Sequence, residues 1–62
     1  MKYFKNLRVT LQFKHDSLIK MSKDLEKKGA KEETMQALTE ATLHIGDAID
    51  QITIALSQEG EE

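Results

Sequence analysis

Cysteine, proline and tryptophan are absent from the 62-residue sequence, and aromatic residues make up only 5 % of it. Without cysteine the chain has no disulfide, no thiolate metal site and no thiol nucleophile. No apolar run approaches the roughly 18 residues that a transmembrane helix needs, and the Met1–Phe4 segment opens no signal-peptide core. We therefore expect a cytoplasmic protein that does not enter a membrane. A chain this short forms a single domain over residues 1–62, and alone it buries only about 60 % of the surface that its unfolded form exposes.

Charged residues make up 32 % of the sequence, but the two signs are divided unevenly along it. Residues 1–29 carry eight Lys or Arg and three acids, a net charge of +5, whereas residues 30–62 carry one Lys and eight acids, a net charge of −7. The overall charge of −2 argues against a general nucleic-acid binder. The basic first half keeps that function open, because binding depends on the charge of the local face.

A reversal of the chain is predicted near its middle, around Gly29. Lys27 and Lys28 precede this glycine, as is typical of a helix C-terminus, where cations in the last turn are followed by a residue that accepts left-handed backbone. Glu32 and Glu33 follow the glycine, and acids favour the first turn of a helix. We predict a first helix over about residues 3–28, a turn over 29–31, a second helix over about 32–58 and a frayed tail over 59–62.

Both arms carry apolar residues spaced by threes and fours, which is the a and d pattern of a heptad repeat. Lys14 interrupts the first stripe and Thr42 the second, and polar residues at such places can fix the register of packed helices. Ala41, Ala48 and Ala55 recur every seven residues beside the second stripe, where small side chains would let a neighbouring helix come close. The predicted core consists of Phe4, Leu7, Leu11, Leu18, Met21 and Leu25 in the first arm and Met35, Leu38, Ile45, Ile49, Ile52 and Leu56 in the second.

The two stripes match each other when the chain is folded back at Gly29. Antiparallel partners then have residue numbers that sum to 59 or 60 in all seven layers, which predicts an all-α antiparallel two-helix hairpin. Because one hairpin has no second layer to cover its seam, we expect two of them to form a homodimeric four-helix bundle. Two equal arms, a turn near the middle and an acidic tail give a layout that resembles the Rop family of plasmid RNA-binding dimers. This resemblance implies RNA binding through the basic first helix.

An alternative structure is predicted by residues 7–13, in which apolar and polar side chains alternate strictly, as in a β-strand. Asp16 and Ser17 would then cap a short helix. Strand, helix, turn and helix over about residues 7–50 resemble the ribbon-helix-helix repressors, in which the strands of two chains pair into a ribbon that enters the DNA major groove. The second arm is longer than that family needs. The resemblance implies base-facing side chains at Arg8, Thr10 and Gln12.

Few side chains combine into a chemical site. His15 and His44 fall in the same layer of the predicted hairpin, yet neither arm has the His–His i, i+4 or the Glu-x-x-His spacing that puts two zinc ligands on one helix face. The serines lack an adjacent base on the same face, and no glycine-rich phosphate loop is present. We therefore predict both histidines at the surface, and we expect no enzyme activity, no catalytic residue, no metal and no cofactor.

Val9 and Phe13 lie one turn apart on the side of the first helix opposite its apolar stripe. Leu43 and Ile54 lie on the side of the second helix opposite its own stripe. The Val–Phe pair indicates either a contact site for a partner or extra packing in a dimer of different geometry. We expect a small non-enzymatic regulatory or adaptor protein that binds a protein partner through this face. The alternative is a nucleic-acid-binding regulator in which Phe13 stacks on an unpaired base. The predicted partner-binding residues are Val9, Phe13, Arg8, Gln12 and Lys20.

Overall fold

The computed structural model describes residues 2–60, which form two antiparallel helices joined by a short turn. Helix α1 spans Lys2–Lys27 and helix α2 spans Glu32–Gln58, and together they form a rod of 45 × 15 × 12 Å. The predicted all-α helical hairpin is thereby confirmed. The alternative strand over residues 7–13 is wrong: these residues are helical, and a lone strand would leave its backbone N–H and C=O groups without partners. Three terminal residues lie outside the described range, including two from the predicted frayed tail: Met1, Glu61 and Glu62.

The turn ends α1 through a Schellman motif at Gly29. The φ of this residue is +81°, a left-handed conformation that glycine adopts at little cost. The Ala30 N–H donates to the Leu25 carbonyl at 3.0 Å, and the Gly29 N–H donates to the Glu26 carbonyl at 3.1 Å. Two carbonyls that would otherwise lack partners at the helix end are thus bonded. Lys31 gives α2 no side-chain cap, so the two glutamates of the first turn provide the stabilising charge there.

Two glycines are expected to respond oppositely to substitution by alanine. Gly29→Ala should lower the free energy of unfolding by about 1 kcal/mol, because a Cβ is strained in left-handed backbone. Gly46 lies inside α2, and a Cβ there would meet His15 Nε2 at 3.6 Å, an ordinary van der Waals distance. Gly46→Ala should therefore raise the free energy of unfolding by about 0.5–1 kcal/mol through helix propensity. Urea denaturation of both variants measures the two effects, and destabilisation by Gly46→Ala would contradict the packing described between the helices.

The contact between the helices is narrow, because each helix is covered on one side only. Among residues 2–60 only Leu56 is a fully buried apolar side chain, at 0 % exposure. Phe4 and Met21, both predicted for the core, are exposed in the single hairpin, Met21 by 60 %. The half-buried residues are Leu7, Arg8, Leu11, His15, Leu18, Ile19, Ser22, Leu25 and Ala30 before α2, and Met35, Leu38, Ala41, Thr42, Ile45, Gly46, Ile49, Ile52 and Thr53 within it.

The line of contact along α1 differs from the predicted heptad stripe. Lys14 is exposed, and His15 occupies the place at the seam that the heptad assigns to Lys14. One heptad further on, half-buried Ser22 likewise replaces Met21. Half-buried Arg8, His15 and Ser22 recur every seven residues, so the seam of α1 keeps a heptad spacing. One of its two rows is displaced by one residue from the predicted stripe, which corresponds to a rotation of α1 about its axis.

Candidate partner-binding surface

Val9 and Phe13 are exposed apolar side chains on the outer side of α1, opposite the seam. Val9 is 55 % exposed and Phe13 is 68 % exposed. They lie one helical turn apart, so their side chains are neighbours on the outer side of the helix. An exposed aliphatic and aromatic pair on a helix that is otherwise rich in charge is a candidate contact site.

A shallow groove of about 230 Å³ runs beside this pair on α1. Four of the five predicted partner-binding residues line it, whereas Lys20 is exposed outside the groove. Asp16 lines it as well and was missed by the sequence prediction, although its spacing of four residues from Gln12 places the two on one helix face. The groove is lined by Arg8, Val9, Gln12, Phe13 and Asp16.

Arg8 links the groove to the seam between the helices. Its Nη1 donates to the Thr53 hydroxyl oxygen at 3.2 Å, and the Thr53 hydroxyl donates to the Ile49 carbonyl at 3.0 Å. The side chain of Arg8 is therefore directed toward α2, which fixes one wall of the groove. Because this guanidinium already binds within the hairpin, Val9 and Phe13 offer the more accessible contacts to a partner.

His15 lies in the seam, so the prediction of a surface histidine is wrong for this residue. Its side chain is 24 % exposed, and Nδ1 lies 3.8 Å from the Asp16 carboxylate. Its imidazole ring packs over Gly46, at a distance that would give a Cβ at that residue ordinary van der Waals contact. His44 is exposed as predicted, with Nε2 3.7 Å from Glu40 Oε2.

Two hydroxyl groups at the seam, those of Thr42 and Ser22, form hydrogen bonds within their own helices. The Thr42 hydroxyl donates to the Leu38 carbonyl at 2.8 Å, and the Ser22 hydroxyl donates to the Leu18 carbonyl at 2.8 Å. These hydroxyls are thus satisfied within their own helices. Within residues 2–60, no three His, Asp or Glu side chains gather as metal ligands.

Neither described helix is long and apolar enough to cross a membrane. Comparison of the chain with protein-family models, with curated proteins and with solved structures finds no match.

Proposed function

We propose that this chain is a small cytoplasmic regulatory or adaptor protein without enzymatic activity. Two copies form a four-helix bundle, and each copy binds a protein partner through the surface around Val9 and Phe13. Both parts of the proposal start from the same property of the hairpin, which is the large amount of apolar side chain that it leaves in contact with solvent.

The exposure of Phe13 is the observation that supports partner binding most directly. Aromatic side chains are enriched among the residues that contribute most to protein interfaces, because they bury a large area with few rotatable bonds. Phe13 is 68 % exposed and borders the groove on α1. A partner that inserts an apolar side chain beside Phe13 would also meet Val9, Gln12 and Asp16, which offer apolar contact and hydrogen-bonding groups together.

Phe13→Ala is expected to weaken partner binding by 10-fold or more, about 1.4 kcal/mol, while changing the free energy of unfolding by only about 0.5 kcal/mol. The side chain makes its contacts outside the hairpin, so its loss leaves no internal cavity. The test is capture of binding proteins from the source cell with the wild type and the variant. The captured protein is then purified, and its affinity for both forms is measured by calorimetry.

Leu43→Ala provides a matched control, because Leu43 is an exposed apolar residue on α2. Its affinity for the captured protein should equal that of the wild type. Equal affinity of the wild type and Phe13→Ala would overturn the assignment of the site. A loss in Leu43→Ala without a loss in Phe13→Ala would move the partner to α2.

Nucleic-acid binding is a second candidate function, supported by the charge of α1. This helix carries seven Lys or Arg and three acids, and α2 carries five acids and no Lys or Arg. A basic helix with an exposed aromatic side chain can contact phosphates and stack on an unpaired base. In a four-helix bundle that binds RNA, α1 would make the contact with the RNA. The DNA ribbon is not proposed, because the strand that it needs is helical.

Binding of a fluorescent single-stranded RNA at several salt concentrations distinguishes the two candidates. Nucleic-acid binding requires an affinity that falls steeply with salt, because each neutralised phosphate releases counterions. Binding to a protein through Val9 and Phe13 should change little with salt. RNA binding that is lost in Phe13→Ala and depends steeply on salt would favour the second candidate.

A further inference from the structure

The hairpin exposes more surface than a folded monomer of its size. Its accessible surface is 4870 Å², whereas monomers of 7.1 kDa expose about 4,100 Å² by the usual scaling with mass. The excess of about 800 Å² equals the area that one partner buries in a protein interface of standard size. Burial of that area by one further molecule would bring the surface that each chain exposes to the value of a 7.1 kDa monomer.

The two long sides of the seam differ in chemistry. One side, here called the polar side, is defined by two contacts between the helices: the hydrogen bond from Arg8 to Thr53 and the packing of His15 over Gly46. Thr39 lies seven residues before Gly46 and so belongs to the same side. Its hydroxyl already donates to a carbonyl of its own helix. The polar side is thus occupied by groups bonded within the hairpin.

On the opposite side, here called the alanine side, α2 presents small apolar side chains. With about 100° of rotation per residue, Ala41, Ala48 and Ala55 lie on one side of the row formed by Ile45 and Ile49. Gly46 lies on the other side of that row. Ala48 and Ala55 are exposed and Ala41 is half-buried. The antiparallel arrangement brings the flank of α1 that carries Met21 to this side, and Met21 is 60 % exposed. Half-buried Leu7 and Ile52 lie at its inner edge.

We propose that a second copy of this chain packs on the alanine side, so that this side becomes the centre of the four-helix bundle. This inference rests on the proposed dimer and specifies its interface. A two-fold axis makes the same patch serve both copies, and the alanines let the facing helices approach closely. Met21, and Tyr3 at the end of the same flank, would then lose the solvent contact that they have in the single hairpin.

Lys14 lies at the middle of the same flank of α1 and is exposed. A buried lysine without a partner would oppose association. Its four-carbon stem can instead cover apolar surface while the ammonium group reaches the rim of the interface. Lys14 is thus compatible with a second copy on the alanine side, and its polar head restricts the alignments that the two copies can adopt.

Ala48→Glu tests the interface, with Thr39→Glu as the matched control on the polar side. Both residues belong to α2 and are exposed in the single hairpin. Sedimentation equilibrium should give twice the mass of the 7.1 kDa chain for the wild type and for Thr39→Glu, and the mass of one chain for Ala48→Glu. A dimeric Ala48→Glu variant would overturn this interface, but it would leave the proposed dimer itself in place. A wild type that is a monomer at every concentration overturns the dimer itself.

A second measurement does not depend on the folding of the glutamate variant. The chain contains no cysteine, so Ala48→Cys and Thr39→Cys each carry one thiol. In the dimer, a soluble thiol reagent should modify Ala48→Cys several-fold more slowly than Thr39→Cys, and dilution to the monomer should remove the difference. Equal rates at the concentration at which the wild type is dimeric would overturn the proposal.

Discussion

Replacement of Leu56 by alanine is expected to lower the free energy of unfolding by about 2–5 kcal/mol. Leu56 is 0 % exposed, so its side chain is completely enclosed by the hairpin. The loss combines the transfer of the removed methyl groups out of water with the cavity that they leave. Most of the other contact residues are only half-buried, so this one side chain contributes an unusually large share of the packing energy.

Ile54→Ala is the matched control for this substitution. Ile54 lies two residues from Leu56 on the same helix, but it is 48 % exposed and faces outward. Its loss should cost about 0.5–1 kcal/mol, because only about half of its surface leaves water on folding and no enclosed cavity remains. Urea denaturation followed by circular dichroism measures both variants. Equal costs would mean that α2 is rotated relative to the arrangement described here.

The turn could be predicted from the sequence because its signals are local. Two lysines, a glycine and two glutamates within seven residues specify a helix end and a helix start whatever the rest of the chain does. Gly29 indeed adopts the left-handed conformation that this pattern requires. Apolar spacing likewise identified the helices, because periods of three and four residues extend over both arms.

The residues that face each other across the seam were harder to predict. The apolar spacing predicts a seam along α1 but not the rotation of the helix about its axis, and in the structure Arg8, His15 and Ser22 are half-buried at seven-residue intervals. The seam therefore contains His15 rather than Lys14.

The candidate site illustrates a second limit of sequence reasoning. Helical spacing was enough to place Val9 and Phe13 on the outer face, since the direction of Cβ is fixed by the backbone. It did not reveal that Arg8 turns toward α2, because a long side chain with several rotatable bonds goes where it finds an acceptor. That acceptor is the hydroxyl of Thr53, 45 residues away along the chain.

The proposed assembly would present the partner-binding surface twice. In a two-fold bundle with the alanine sides in the centre, the outer faces of both α1 helices stay accessible. A partner with two binding segments could then engage both copies, and its apparent affinity would exceed that of a single contact. Association of the two copies would thus contribute both stability and avidity.

Thermal unfolding at several protein concentrations tests most directly whether a second copy completes the hairpin. Because one dimer unfolds to two chains, a hundredfold rise in concentration favours the folded dimer by about 2.7 kcal/mol. With the usual enthalpy of about 0.7 kcal/mol per residue, the Tm should rise by about 10 °C over that range. A Tm that stays constant, with a mass of 7.1 kDa throughout, would contradict the two-chain bundle.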